Sequence, residues 1–209
     1  MVMAEATNHY FKHLGVSDGL SQVCIPSIYQ DELGAVWLGT TEGLNRYNGK
    51  DVKVFQPSES NHGLTNNEIN ELCGDKNGRM YIRSGNDLIK LDIYTEQFTC
   101  LRQKGVYGLF CKKDTLWVSC ADGIYYYTGQ GTELTFFARV QKGFVGRALY
   151  VDKETVWVVT RKYLVAISRE DPLRQEILLT LDKGNCILGD SSGNIWVGAW
   201  NGLYRISPT

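Results

Sequence analysis

A bulky aromatic set in a short apolar run returns five times, and this constrains the chain more than any other feature. The runs are Val36-Trp37-Leu38, Met80-Tyr81-Ile82, Leu116-Trp117-Val118, Val156-Trp157-Val158 and Ile195-Trp196-Val197, with the aromatics 44, 36, 40 and 39 residues apart. Six and seven residues further on come Gly43-Leu44, Asp87-Leu88, Gly123-Ile124, Tyr163-Leu164 and Gly202-Leu203. Upstream, three copies carry Asp-x-x-Gly: Asp31 to Gly34, Asp75 to Gly78 and Asp190 to Gly193. The fourth copy keeps Asp152 in a turn one residue shorter, and the third reads Cys111-Lys112-Lys113-Asp114. Asp caps such a turn through its side chain, and Gly supplies the positive φ that closes it. Carboxylates that recur at one turn position have a structural job rather than a catalytic one.

Each copy divides into four short strands. In the first, Ile25–Asp31 precedes the turn, Ala35–Thr40 follows it, and Leu44–Tyr47 and Val52–Phe55 come next, with Asn48-Gly49 as a two-residue hairpin signal. Four-stranded units at this period predict an all-β fold, a β-propeller of five four-stranded blades in a single domain spanning 1–209. The repeats fall at approximately 22–57, 65–102, 104–138, 143–181 and 184–206. A lone four-stranded sheet cannot hide both faces; stacked blades can, with the aromatics filling the layers between them.

The fifth copy stops at Ile206, before a fourth strand, whereas Tyr10-Phe11-Lys12-His13-Leu14 stands alone at the front, followed by Asp18-Gly19-Leu20-Ser21. The same order, a strand followed by His62-Gly63-Leu64-Thr65, precedes copy two. Segment 10–14 therefore reads as a displaced fourth strand that closes the last blade and removes the open edge. The alternative is an open set of blades from a larger propeller, exposing an apolar face.

The stretch Ser27 to Tyr47, and again Ser192 to Arg205, resembles the two-component regulator propeller repeat. Arg83 and Val159 depart from it at the place of Gly39, as does Tyr163 at the place of Gly43. The resemblance implies the periplasmic sensor region of hybrid two-component systems, sensing oligosaccharides. Its usual companions, larger propellers, an immunoglobulin-like domain, a membrane helix and kinase modules, are not in this sequence. That leaves an excised piece, a truncated relative or a stand-alone propeller.

Composition narrows the partners. A net charge of −1 argues against nucleic acid, which needs a basic stripe, and no apolar run is long enough to span a membrane. Met1-Val2-Met3-Ala4 reads either as the remnant of a secretion signal or as residue left from cloning. Cys24, Cys73, Cys100, Cys111, Cys120 and Cys186 show no CxxC and fall at unrelated repeat positions, so most read as small buried hydrophobes rather than a disulfide framework. His9, His13 and His62 lie far from paired cysteines, so no metal or other cofactor is expected. No nucleophile elbow, zinc motif or phosphate-cradling loop is present, and no catalytic residue is assigned.

Residues that break the repeat are the candidates for binding. Four positions after the core aromatics stand Thr41, Gly85, Ala121, Arg161 and Trp200. Arg161 and Trp200 read either as a sugar-stacking and carboxylate-binding pair or as ordinary surface packing, and Lys162 and Tyr163 share that ambiguity. Arg147 and Tyr150 on the fourth inner strand either line the channel or pack within it, and Arg83 is a weaker candidate.

Four functions compete: a sensor propeller binding an oligosaccharide or presenting a protein-contact surface, with another sensor domain or a second copy as partner; a purely structural fragment of a receptor; a lectin-like propeller; and a propeller lyase or hydrolase. Lectins would repeat their site in every blade, and Thr41, Gly85 and Ala121 do not match Arg161 and Trp200. The enzyme reading lacks a clustered acid, base or metal set.

Overall fold

The alternation of apolar and polar positions on either side of each core aromatic builds short antiparallel strands, and turn residues punctuate them. In a computed structural model describing residues 11–57 and 63–207, nineteen strands form five antiparallel sheets. Blade 1 holds β1 (Ser27–Gln30), β2 (Val36–Thr40), β3 (Gly43–Tyr47) and β4 (Val52–Phe55). Blade 2 holds β5 (Ile69–Gly74), β6 (Arg79–Ser84), β7 (Asp87–Asp92) and β8 (Gln97–Arg102). Blade 3 holds β9 (Val106–Lys112), β10 (Thr115–Cys120), β11 (Gly123–Tyr127) and β12 (Thr135–Ala138). Blade 4 holds β13 (Gly146–Val151), β14 (Thr155–Thr160), β15 (Tyr163–Ser168) and β16 (Gln175–Thr180). Blade 5 has three strands, β17 (Cys186–Gly189), β18 (Ile195–Ala199) and β19 (Gly202–Ile206).

The first strands of successive blades lie side by side in the order β1, β5, β9, β13, β17. The core aromatics of blades 1 to 4 turn their rings toward the following blade. Trp37 packs with Leu72, Ile82 and Leu91, Tyr81 with Leu109 and Val118, and Trp117 with Leu149 and Val158. Trp157 packs with Ile187 and Val197. Four apolar clusters thus fill four interfaces between five blades.

The repeated Asp does two jobs at once. Asp31 accepts the backbone N–H groups of Leu33 (3.0 Å) and Ala35 (2.9 Å) on one oxygen and the Trp37 indole N–H (2.8 Å) on the other. Asp190 holds Ser192, Asn194 and the Trp196 indole at 2.9 Å each, and Asp152 holds the Trp157 indole at 2.6 Å across its shorter turn. Tyr81 offers no indole N–H. There the Arg79 guanidinium pairs with the free oxygen of Asp75 instead. In blades 1, 4 and 5 the carboxylate therefore ties the first turn to the core ring.

Two sequence expectations are corrected. Asn48-Gly49 does not make a two-residue hairpin. The turn runs over four residues, 48–51, because the Asn48 side chain accepts the N–H groups of Lys50 (2.9 Å) and Asp51 (2.8 Å) and so opens the loop. The proposed closing strand, 10–14, is not formed over its described part. Phe11–Leu14 has no strand, Lys12 donates to the Tyr47 hydroxyl of blade 1 at 3.2 Å, and β19 pairs only with β18 among the described residues. Tyr10 lies outside the described residues, as do His9 and His62.

The two end faces show the consequence. Leu44, Leu88, Ile124 and Leu164 share one repeat position and are fully buried, yet Leu203 at that position is 68% exposed. Leu72, Leu109 and Leu149 are buried at the equivalent of Ile28, which is 63% exposed. Among the described residues, the face of blade 5 that carries Trp196 and the opposite face of blade 1 both lack the neighbour that every internal face has.

Candidate functional site

The inner strands of blades 2, 3 and 4 carry a bulge at the same place, where the register slips between Ile69 and Glu71, between Val106 and Gly108, and between Gly146 and Ala148. A bulge leaves one residue unpaired and re-aims its side chain. In blades 3 and 4 the bulged residues are Tyr107 and Arg147, so adjacent blades offer an aromatic and a cation from one repeat position. They can approach because Gly108 has no side chain: a Cβ there would lie 2.8 Å from the Arg147 carbonyl oxygen.

These two residues open onto a cleft of about 440 Å³ lined by Tyr107, Phe144, Val145, Arg147, Thr160, Arg161 and Lys162. Thr160 is buried and shapes the rim. Its hydroxyl donates to the Tyr163 carbonyl (3.0 Å) and accepts the N–H groups of Lys162 (3.2 Å) and Tyr163 (2.8 Å). The lead-in to blade 5 grips the same turn from outside, with Leu181 N–H on the Lys162 carbonyl (2.6 Å) and Gly184 N–H on that of Arg161 (3.0 Å). The backbone under both cations is therefore fixed while their side chains stay exposed. Among the described residues, no carboxylate pairs with Arg147, Arg161 or Lys162, and none of their charged heads donates a hydrogen bond to protein.

Of the six residues singled out from sequence, the cleft collects Arg147, Arg161 and Lys162. Tyr163 stands behind it, its ring 4.9 Å from that of Phe144. Trp200 lies apart, 76% exposed on blade 5 with the Lys183 ammonium 3.8 Å from its ring centroid. Tyr150 packs between blades against Phe110 (5.2 Å) and Gly189 and does not line the cleft. Arg83 is occupied by Glu71 at 3.4 Å and by the Gly85 carbonyl at 3.2 Å. Burial raises the Glu71 carboxyl above its ordinary value, although Arg83 and the Leu109 N–H oppose the rise. Sequence reasoning missed Tyr107, Phe144 and Val145. The only signal was the irregular lead-in 140–146, where Lys142 takes a positive φ of 57°.

Stacked antiparallel sheets whose inner strands lie side by side are the blades of a β-propeller. The family described as two component regulator propeller matches residues 19–42, from the Gly19-Leu20 lead-in to the β2–β3 turn. Histidine kinase P4 of Formosa agariphila is 40% identical over 53 residues, which is 25% of this chain and 4% of that protein. In fold the chain is similar to an extracellular domain assigned to a hybrid two component system of B. thetaiotaomicron, with a TM-score of 0.82 and 23% identity. That likeness covers 94% of this chain and 30% of the other. Streptogramin B lyase shares the fold at a TM-score of 0.68 and 16% identity, over 90% of this chain and 67% of the lyase. The chain thus spans a small part of the sensor proteins it resembles.

Proposed function

We propose that this chain is a non-catalytic binding module of an extracytoplasmic, periplasmic sensor, and that the cleft between blades 3 and 4 takes an oligosaccharide bearing an acidic group. The observation that carries this reading is the convergence of Arg147, Arg161 and Lys162, unpaired with any carboxylate among the described residues, beside the rings of Tyr107 and Phe144. Guanidinium groups match carboxylate and sulfate oxygens in paired hydrogen bonds, and ring faces cover the apolar side of a sugar. Catalysis has little to draw on. The recurring aspartates are engaged with turns and indoles, Glu71 is tied to Arg83 and Leu109, and among the described residues no three metal-ligating side chains cluster.

Isothermal titration and thermal shift with matched acidic and neutral oligosaccharides test this. The acidic sugar should bind the wild type, and Arg161→Ala with Lys162→Ala should weaken it at least tenfold. Equal binding of the neutral sugar, or an unaffected double variant, would remove the cleft from the account.

A second reading is a structural stack that docks other propeller blades, and the two uncovered end faces favour it. Blade 5 offers Leu188, Trp196 and Leu203 where blade 1 offers Tyr29, Trp37 and Leu44 to blade 2. A sheet of the same repeat type is the surface that fits there, and ring completion by such sheets replaces closure by segment 10–14. The two readings are compatible within one receptor.

A further inference from the structure

We infer that Cys73 and Cys111 are a disulfide site that bonds blade 2 to blade 3. Cys73 lies on β5 and Cys111 on β9, neighbouring inner strands, and their sulfurs are 2.7 Å apart although both are free thiols. That separation is slightly longer than a sulfur–sulfur bond of about 2.05 Å. The other four cysteines, Cys24, Cys100, Cys120 and Cys186, have no such neighbour among the described residues.

The repeat supplies an independent argument. Cys73 pairs across its blade with Tyr81, as Tyr29 pairs with Trp37, Phe110 with Trp117 and Tyr150 with Trp157. Cys111 is the next position along the inner strand, the place of Gly74, Val151 and Gly189. These two positions meet at the interfaces on either side. Tyr29 lies against Gly74, and Tyr150 against Gly189, so closely that a Cβ on either glycine would collide with the phenol. Between blades 3 and 4 the two positions hold Phe110 and Val151. Only between blades 2 and 3 are both halves of the pair cysteine, and there the two sulfurs are in contact.

The chemistry balances with a disulfide oxidant of the kind present in oxidising compartments. One cysteine thiolate attacks the oxidant and releases its first thiol, leaving a mixed disulfide. The other then displaces the second thiol and closes the Cys73–Cys111 bond. The protein gives up two electrons and two protons, and the oxidant leaves as two thiols. Burial, with the Cys111 thiol adding to it, holds the Cys73 thiol well above its ordinary value. The crosslink spans 38 positions and anchors β9, the strand that carries Tyr107 to the cleft.

The test is thiol counting on the folded chain incubated with oxidised glutathione, then denatured and mapped without reduction. The sequence has six cysteines, so the titratable thiols should fall from six to four, with a peptide joining Cys73 to Cys111. The oxidised protein should melt about 5–10 °C higher than the reduced one, a gain that dithiothreitol reverses. Cys111→Ala, which changes little packing, should show neither the linked peptide nor the redox-dependent shift, whereas Cys100→Ser should keep both. Six remaining thiols, glutathione adducts alone, or a bond between other cysteines would overturn the assignment.

Discussion

Removing the Asp31 carboxylate is the sharpest probe of how a blade is held together. Asp31→Ala deletes three hydrogen bonds at once, from Leu33, Ala35 and the Trp37 indole. The Leu33 amide sits at an exposed turn and can turn to water. The Trp37 indole and the Ala35 amide belong to buried residues and cannot. Each buried donor left without a partner costs about 1–3 kcal/mol, so the substitution should cost about 3–4 kcal/mol in all. Against a total stability of about 5–15 kcal/mol that is a large loss. It should lower the urea midpoint by about 1–2 M, with the slope unchanged. Equilibrium unfolding followed by tryptophan fluorescence and far-ultraviolet circular dichroism reads this directly. The indole bond is isolated by a double-mutant cycle with Trp37→Phe, which removes the donor while keeping an aromatic. A coupling of at least about 1.5 kcal/mol between the two sites is expected. A loss below about 1 kcal/mol for Asp31→Ala, or costs that simply add, would refute the claim that the carboxylate joins turn to core.

The uncovered end face makes a paired prediction: Leu44→Ala should cost about 2–4 kcal/mol by calorimetry or urea melting and Leu203→Ala less than about 1, although both leucines occupy one repeat position. A large loss at Leu203 that grows with protein concentration would mean a second copy covers blade 5. In acid, Asp190 is the group to watch, because the Trp196 indole and the Asn194 side chain hold its carboxyl down at about 2 from an ordinary 3.8. A depressed folded-state pKa contributes stability above the unfolded value that disappears as pH falls from about 4 to about 2. Wild type and Asp190→Asn, compared by urea midpoint across that window, should converge at its lower end; a gap that persists there would count against the assignment.

The blades were legible because they are periodic. The aromatic, the apolar residue seven positions on and the Asp turn each repeat five or nearly five times, and in the internal blades the aromatic and the apolar residue are packed in the same way. The closing strand was read from order alone. Order says what a segment once paired with in a neighbouring repeat, but here Lys12 is held by Tyr47 of blade 1. For the cleft, the loop after the core aromatic pointed to Arg161 and Lys162 and the fourth inner strand to Arg147, and all three line it. Trp200 holds the same repeat position as Arg161, yet equivalent positions in adjacent blades are separated by a blade's width, so the two do not share a pocket. Tyr107 and Arg147 do meet, because both are bulged out of inner strands that touch. The cysteine pair was hidden for a related reason. Cys73 and Cys111 fall one position apart when the repeats are aligned, and only the stagger between inner strands brings them opposite each other.

The distribution of contacts around the cleft bears on how the proposed binding module could respond. A ligand shifts a protein between states only through contacts that differ between them. Between blades 3 and 4 the inner strands cannot slide, since Gly108 already lies against the Arg147 carbonyl and the Trp117 ring fills the layer behind it. The floor carrying Arg161 and Lys162 is fixed as well, by Thr160 within the blade and by the Leu181 and Gly184 amides from the next. The lead-in that supplies Phe144 and Val145 is held differently, by one short 3₁₀ turn, the Gln141 N–H on the Gln175 side chain (2.8 Å) and the Phe144 ring against Tyr163, instead of by strand pairing. A ligand would meet two walls held by strand and turn hydrogen bonds and a third held mainly by side-chain contacts. A change in that wall alters the rim between two blades, and a rim is a surface that a further domain of a receptor can contact.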